Sequence, residues 1–78
     1  MAQAVLLEHD KDFITLGQLL KSVGLIDTGG QAKWFLSEYT TLVNGEPETR
    51  RGKKLIIGDK IDIAEHGTYI VSRNRSSS

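Results

Sequence analysis

Residues 15–39, TLGQLLKSVGLIDTGGQAKWFLSEY, use one device twice. Thr15 is followed three positions on by Gln18, and Thr28 by Gln31. At that spacing a hydroxyl caps a free amide of the first helical turn while the glutamine side chain reaches back to the cap's own amide. Ile14 and Leu19 occupy hydrophobic-staple positions around the first cap. Leu16, Leu19, Leu20 and Val23 then fall at i, i+3, i+4 and i+7, and Ala32, Phe35, Leu36 and Tyr39 repeat the interval. Each set is one buried helical face. Gly24 ends the first helix, and Asp27 is an alternative cap for the second. Two helices joined by so short a link pack on each other.

Downstream the period changes from helical to alternating. Thr40–Val43 runs into Asn44-Gly45, a pair suited to a two-residue hairpin because both positions need positive φ. Pro47 lacks an amide donor, which puts the returning strand at an edge. A Gly58-Asp59 turn precedes Lys60-Ile61-Asp62-Ile63, with Ile61 and Ile63 facing inward, and TYIVS after Gly67 reads as a last strand. Upstream, Ala4–Leu7 is an apolar run of strand length. The expected organisation is an N-terminal segment over 1–12 with one short strand, a single domain over 13–72 and a frayed polar tail over 73–78.

A chain of 78 residues supports one small core, and with no cysteine that core holds by packing alone. No apolar run approaches the ~20 residues that cross a bilayer, and the N-terminus carries acid where a signal peptide carries base. A cytoplasmic, monomeric protein without membrane contact is expected. Ten basic and ten acidic side chains cancel overall, yet screening limits each exposed charge to about 8 Å, so distribution decides what a surface attracts. Between residues 1 and 30 stand Glu8, Asp10, Asp12 and Asp27 against Lys11 and Lys21; the bases gather later.

They gather most densely in Arg50, Arg51, Lys53 and Lys54, around Gly52 and just after the hairpin. A solvated charged loop is one reading. The other is a set of cations held at fixed spacing by the turn, with Arg forking onto phosphate oxygens and Lys supplying point charge. On the outward side of the second helix lie Gly30, Lys33, Trp34 and Ser37. Trp34 either packs beneath Val5–Leu7 or stays exposed, to stack on a base or meet a protein partner. Gly29-Gly30 serves as plain turn chemistry or leaves the helix's first amides open to an anion.

Catalytic readings find little footing. His9 and His66 lie in unlike segments with no metal-ligand spacing, nucleophile and phosphate-loop motifs are absent, and Glu46 with Glu48 reads as a solvated hairpin face. No metal or cofactor is expected.

The stretch from Phe13 to Ala64 resembles the S-four RNA-binding domain, named for the small-subunit ribosomal protein, and in particular its short free-standing YaaA-like bacterial members. TGGQAKWFL, VNGEPETRRGKKL and Gly58-Asp59 before Lys60–Ile63 carry the likeness. The resemblance implies an α+β fold with the alpha-L motif, two packed helices against a small antiparallel sheet. It places RNA-facing residues at the start of the second helix and along the following hairpin, here Gly30, Gln31, Lys33, Arg50, Arg51, Lys53 and Lys54, beside Trp34. It departs in having Thr28-Gly29 where the broader family often has Ser-Arg, and Thr15 where an Arg often opens the first helix. The implied function is a non-catalytic module for structured RNA, ribosomal RNA foremost, on the ribosome or an assembly intermediate. The rivals are a protein-interaction adaptor using the Trp34 face and, more weakly, an RNA-modifying enzyme.

Overall fold

The capping box at Thr15 forms as its spacing predicts. Gln18 N–H donates to Thr15 Oγ1 at 3.2 Å, and Thr15 N–H donates to Gln18 Oε1 at 3.0 Å. Helix α1 (Leu16–Ser22) follows and buries Leu16, Leu19 and Leu20. It closes at Gly24, φ +82°, with Leu25 N–H on the Leu20 carbonyl at 3.0 Å and Gly24 N–H on the Lys21 carbonyl at 3.1 Å. That bond pair satisfies carbonyls the helix end would otherwise leave open. The structure, a computed structural model, describes residues 2–8 and 10–73.

Helix α2 (Gln31–Glu38) buries Ala32, Phe35 and Leu36 as expected, but its start differs. Gln31 Oε1 does reach back, accepting from Asp27 N–H at 2.6 Å and Thr28 N–H at 3.0 Å. The Thr28 hydroxyl does not return the bond. Gly29 and Gly30 run on in a tight turn that brings the Thr28 carbonyl to Gln31 N–H at 3.1 Å, so the amide is taken before the hydroxyl can reach it. The cap position falls to Gly30, in helical backbone conformation and without a side-chain cap bond.

The strands correct one expectation. The main sheet has the order β1 (Ala2–Leu7), β7 (Gly67–Arg73), β6 (Lys60–Ile63), β3 (Thr41–Val43), β4 (Glu46–Pro47). It is mixed, not antiparallel, because β1 pairs in parallel with β7, setting Val5 opposite Val71 and Leu7 opposite Arg73. The first and last strands enter the sheet from the same end, and everything between them is the crossover. β1 is therefore part of the core: Val5 and Leu7 are buried with Ile61, Ile63, Tyr69, Val71 and the apolar faces of both helices. Trp34 does not pack beneath it. The indole is 60% exposed.

The hairpin forms as predicted, with Asn44 at φ 52° and Gly45 at φ 85°, and Pro47 on the edge strand opposite Leu42. Asn44 also ties this turn to the Gly58-Asp59 turn. Its Nδ2 donates to Asp59 Oδ1 and its Oδ1 accepts from Lys60 N–H, both at 3.0 Å. A second, two-stranded sheet pairs β2 (Ile14–Thr15) with β5 (Lys54–Leu55). Arg73 completes β7, while residues 74–78 of the expected frayed tail lie outside the described residues, as do Met1 and His9. No described helix is long and apolar enough to cross a membrane.

Candidate nucleic-acid interface

Between β4 and β5 the chain runs through Glu48–Lys53, which holds three of the four clustered cations. A surface loop with this charge would repel itself and fray unless its backbone were fastened. Here it is fastened to α1. The first amides of a helix have no partner within it, and the loop supplies carbonyls to two of them: Leu16 N–H donates to the Lys53 carbonyl at 2.9 Å and Gly17 N–H to the Arg51 carbonyl at 2.8 Å. Lys53 N–H closes a turn on the Arg50 carbonyl at 3.2 Å, and Glu48 N–H holds the loop's entrance to Thr41. The β2–β5 ladder sets Thr15 opposite Lys54 and pins the exit.

Arg51 faces both helices. Its carbonyl meets α1, and its guanidinium Nη1 donates to the Gly29 carbonyl at 3.2 Å, just before α2. The cations beyond the Asn-Gly bend and the amino end of α2 therefore share a surface. One shallow depression is lined by Lys33, Thr49, Arg50, Arg51 and Gly52, and an adjoining one by Arg50, Gly52, Lys53 and Lys54. Arg50 and Gly52 belong to both, so the ledge runs from Lys33 to Lys54. At its far end Lys54 Nζ stands 4.9 Å from the centre of the exposed Phe13 ring, a cation–π geometry.

Acids flank the Lys53–Lys54 end of the ledge: Glu46, Glu48 and Asp59 line a third depression together with Lys53 and Lys54, and among the described residues Glu48 is the one hydrogen-bonded to a ledge cation. Glu48 Oε2 accepts from Arg50 N–H at 3.1 Å and from Arg50 Nε at 3.0 Å. These bonds hold the Glu48 carboxyl below the usual carboxylate range and raise Arg50 further. The expectation of a solvated Glu46–Glu48 face thus holds for Glu46, which is exposed, and fails for Glu48. Its side chain is only 13% exposed while the paired Arg50 is 76% exposed.

The start of α2 is open. No acidic side chain stands in its first turn, and the Gly29 and Gly30 amides donate to no acceptor among the described residues. A Cβ built at Gly29 would meet nothing within 4 Å. Gln31 is exposed, but its amide oxygen is engaged by Asp27 and Thr28. Trp34 lies one residue beyond Lys33 and lines neither depression. His66, set aside as a metal ligand, packs its imidazole 5.3 Å from the Phe35 ring and 4.6 Å from the Tyr39 ring, centre to centre.

Sequence reasoning missed Thr49, the Gly29 carbonyl, Phe13 beneath Lys54 and, above all, Gly17. A lone glycine inside a helical pattern sacrifices about 1 kcal/mol against alanine and so usually has a packing reason. That was the available signal.

Comparison with known proteins adds the family. The S4 domain matches residues 7–72. A protein of Bacillus subtilis (strain 168) named "Probable ribosome maturation protein RlbA" is 53% identical over 62 residues, spanning 80% of this chain and 87% of that protein. Escherichia coli (strain K12) has a "Putative RNA-binding protein YbcJ", 34% identical over 59 residues, spanning 76% of this chain and 84% of that protein.

Proposed function

The chain belongs to the S4 domain family, and from that premise we propose that it is a non-catalytic module that binds structured RNA, ribosomal RNA foremost, through the ledge from Lys33 to Lys54. The observation that carries this reading is the Arg51 guanidinium on the Gly29 carbonyl, which joins the cationic loop to the open start of α2. Cations carried on a fastened backbone need less ordering on binding than those of a loose tail. The ledge offers few groups that distinguish bases, so it favours shape and backbone position over sequence. Where the broader family pattern often has an arginine before the second helix, this chain has Gly29, and the loop brings the Arg51 guanidinium onto its carbonyl. The names of the relatives, ribosome maturation in one and RNA binding in the other, agree with a ribosomal partner, either the ribosome or an assembly intermediate.

The test is titration of a structured ribosomal RNA fragment at two salt concentrations, with the wild type and with Arg50, Arg51, Lys53 and Lys54 all changed to Glu. Neutralising about four phosphates makes affinity fall steeply with salt. The variant is expected to lose at least about a hundredfold in affinity and most of the salt slope. Equal binding by the two proteins removes the ledge from the function.

A protein-interaction adaptor is the second reading, favoured by the 60% exposure of Trp34 outside both depressions. Trp34→Ala separates the two. An unchanged RNA affinity together with a lost protein partner supports the adaptor; a several-fold loss of RNA affinity assigns the indole to base or ribose stacking, worth about 1–3 kcal/mol per base.

A further inference from the structure

We infer that Gly17 is a positioning residue for the RNA ledge: its missing side chain lets the Arg51 segment close onto α1 while Arg51 reaches α2. The inference rests on the RNA-binding reading above. Gly17 is not needed for its backbone conformation, since its φ is not among the positive ones, unlike those of Gly24, Gly45, Gly58 and Gly67. It is needed for space. A Cβ built there would stand 3.3 Å from the Arg51 carbonyl oxygen, 3.4 Å from Arg51 Cβ and 3.6 Å from Ala32 Cβ. The first contact is tight, the second lies at the edge of ordinary contact, and the third is ordinary packing. Alanine at this position would be a wedge with α2 behind it and the cationic loop in front.

The neighbours differ in how far they can give. Ala32 is fully buried in the common core, so α2 cannot retreat without opening that core. The loop is exposed at Arg50, Arg51 and Gly52, and while Leu16 N–H holds it at Lys53, the Arg51 segment is held to α1 by the hydrogen bond that Gly17 itself donates. The loop is therefore the part that moves. Its carbonyl and Cβ are pushed together, which swings the Arg51 side chain at the end of a long lever and breaks its 3.2 Å bond to Gly29. The ledge would keep every charge and lose the register of one.

The test separates position from stability. Gly17→Ala removes no polar group and introduces a better helix former, so the fold should survive. Against the ribosomal RNA fragment, affinity is expected to fall about threefold to tenfold and the salt slope by about one ion, as for a single lost phosphate contact. In an Arg51→Ala background the same change should cost less than about twofold, because the side chain it displaces is gone. Amide exchange at residue 17, protected in the wild type by the Arg51 carbonyl, should accelerate in Gly17→Ala. Wild-type affinity and slope in Gly17→Ala overturn the inference, as does an undiminished loss in the Arg51→Ala background. Loss of the fold in Gly17→Ala overturns it too, since the residue would then be structural. A wild type that shows no salt-dependent RNA binding is a different result, and sinks the RNA-binding reading itself.

Discussion

The two helices begin with the same sequence device and end up with opposite chemistry. At α1 the early amides are all taken: Gln18 by the Thr15 hydroxyl, Leu16 and Gly17 by carbonyls of the cationic loop. At α2 the hydroxyl is unused and glycine holds the cap position; Gln31 and Ala32 turn back on the Thr28 and Gly29 carbonyls, and the Gly29 and Gly30 amides are left without an acceptor among the described residues. A closed start serves as an anchor, because the loop that fills it becomes rigid. The start beside that loop leaves the Gly29 and Gly30 amides without an acceptor at the positive end of its dipole. Arg51 touches both, and through it one helix end holds the charges that stand in front of the other.

Cutting that link should have the largest effect. Arg51→Glu removes the guanidinium from Gly29 and puts a like charge beside the RNA backbone. It should weaken binding to the ribosomal RNA fragment by about tenfold or more and lower the salt slope by about two ions. Because Arg51 is exposed, the thermal midpoint should move little. A variant that binds as the wild type does would show that the two helix starts act independently.

A smaller effect tests the starts themselves. Thr15→Ala removes a hydroxyl that caps α1 and should cost about 1 kcal/mol in urea unfolding. Thr28→Ala removes a hydroxyl that makes no cap bond to α2 and should stay within about 0.5 kcal/mol of the wild type. Equal losses would mean that the second capping box closes in solution and that the contrast between the helices is wrong.

This pair also marks how far the sequence was readable. Both helices, their buried faces, the Asn44-Gly45 turn and the edge placement of Pro47 depend on residues within a few positions of each other, and local spacing expresses such dependence directly. The half-formed box at Thr28 was misjudged because two glycines allow a tighter turn than the spacing rule assumes. The parallel pairing of Ala2–Leu7 with Gly67–Arg73 was out of reach, since its partners lie at opposite ends of the chain and neither carries a mark of the other. At the ledge, the cations Lys33, Arg50, Arg51, Lys53 and Lys54 stood out by charge alone. What holds them stood out less, because the Gly17 amide and the Gly29 carbonyl are backbone atoms that every residue has, and the one mark at Gly17 is a missing side chain inside a helix. Helical phase leaves Trp34 between two readings, because it names a side chain's direction but not whether anything covers it.

The smallest expected effect concerns the carboxylate bonded to a ledge cation. Glu48 binds the Arg50 amide and guanidinium, so it both stiffens the loop at α1 and spends part of one cation's charge before RNA arrives. Its pKa is lowered in the folded chain. A depressed carboxyl stabilises the fold above its unfolded value and ceases to do so as pH falls through the folded one. Glu48→Gln should therefore lower the thermal midpoint slightly at neutral pH, and the gap from the wild type should close on the acid side of the ordinary carboxylate range. Binding should shift the other way. With Arg50 released, affinity for the RNA fragment at neutral pH should rise by about twofold, since the Arg50 side of the pair is exposed and solvent already weakens it. A fall in affinity instead would make Glu48 a part that orients Arg50, and the ledge would then owe its register to Glu48 as well as to the closed start of α1.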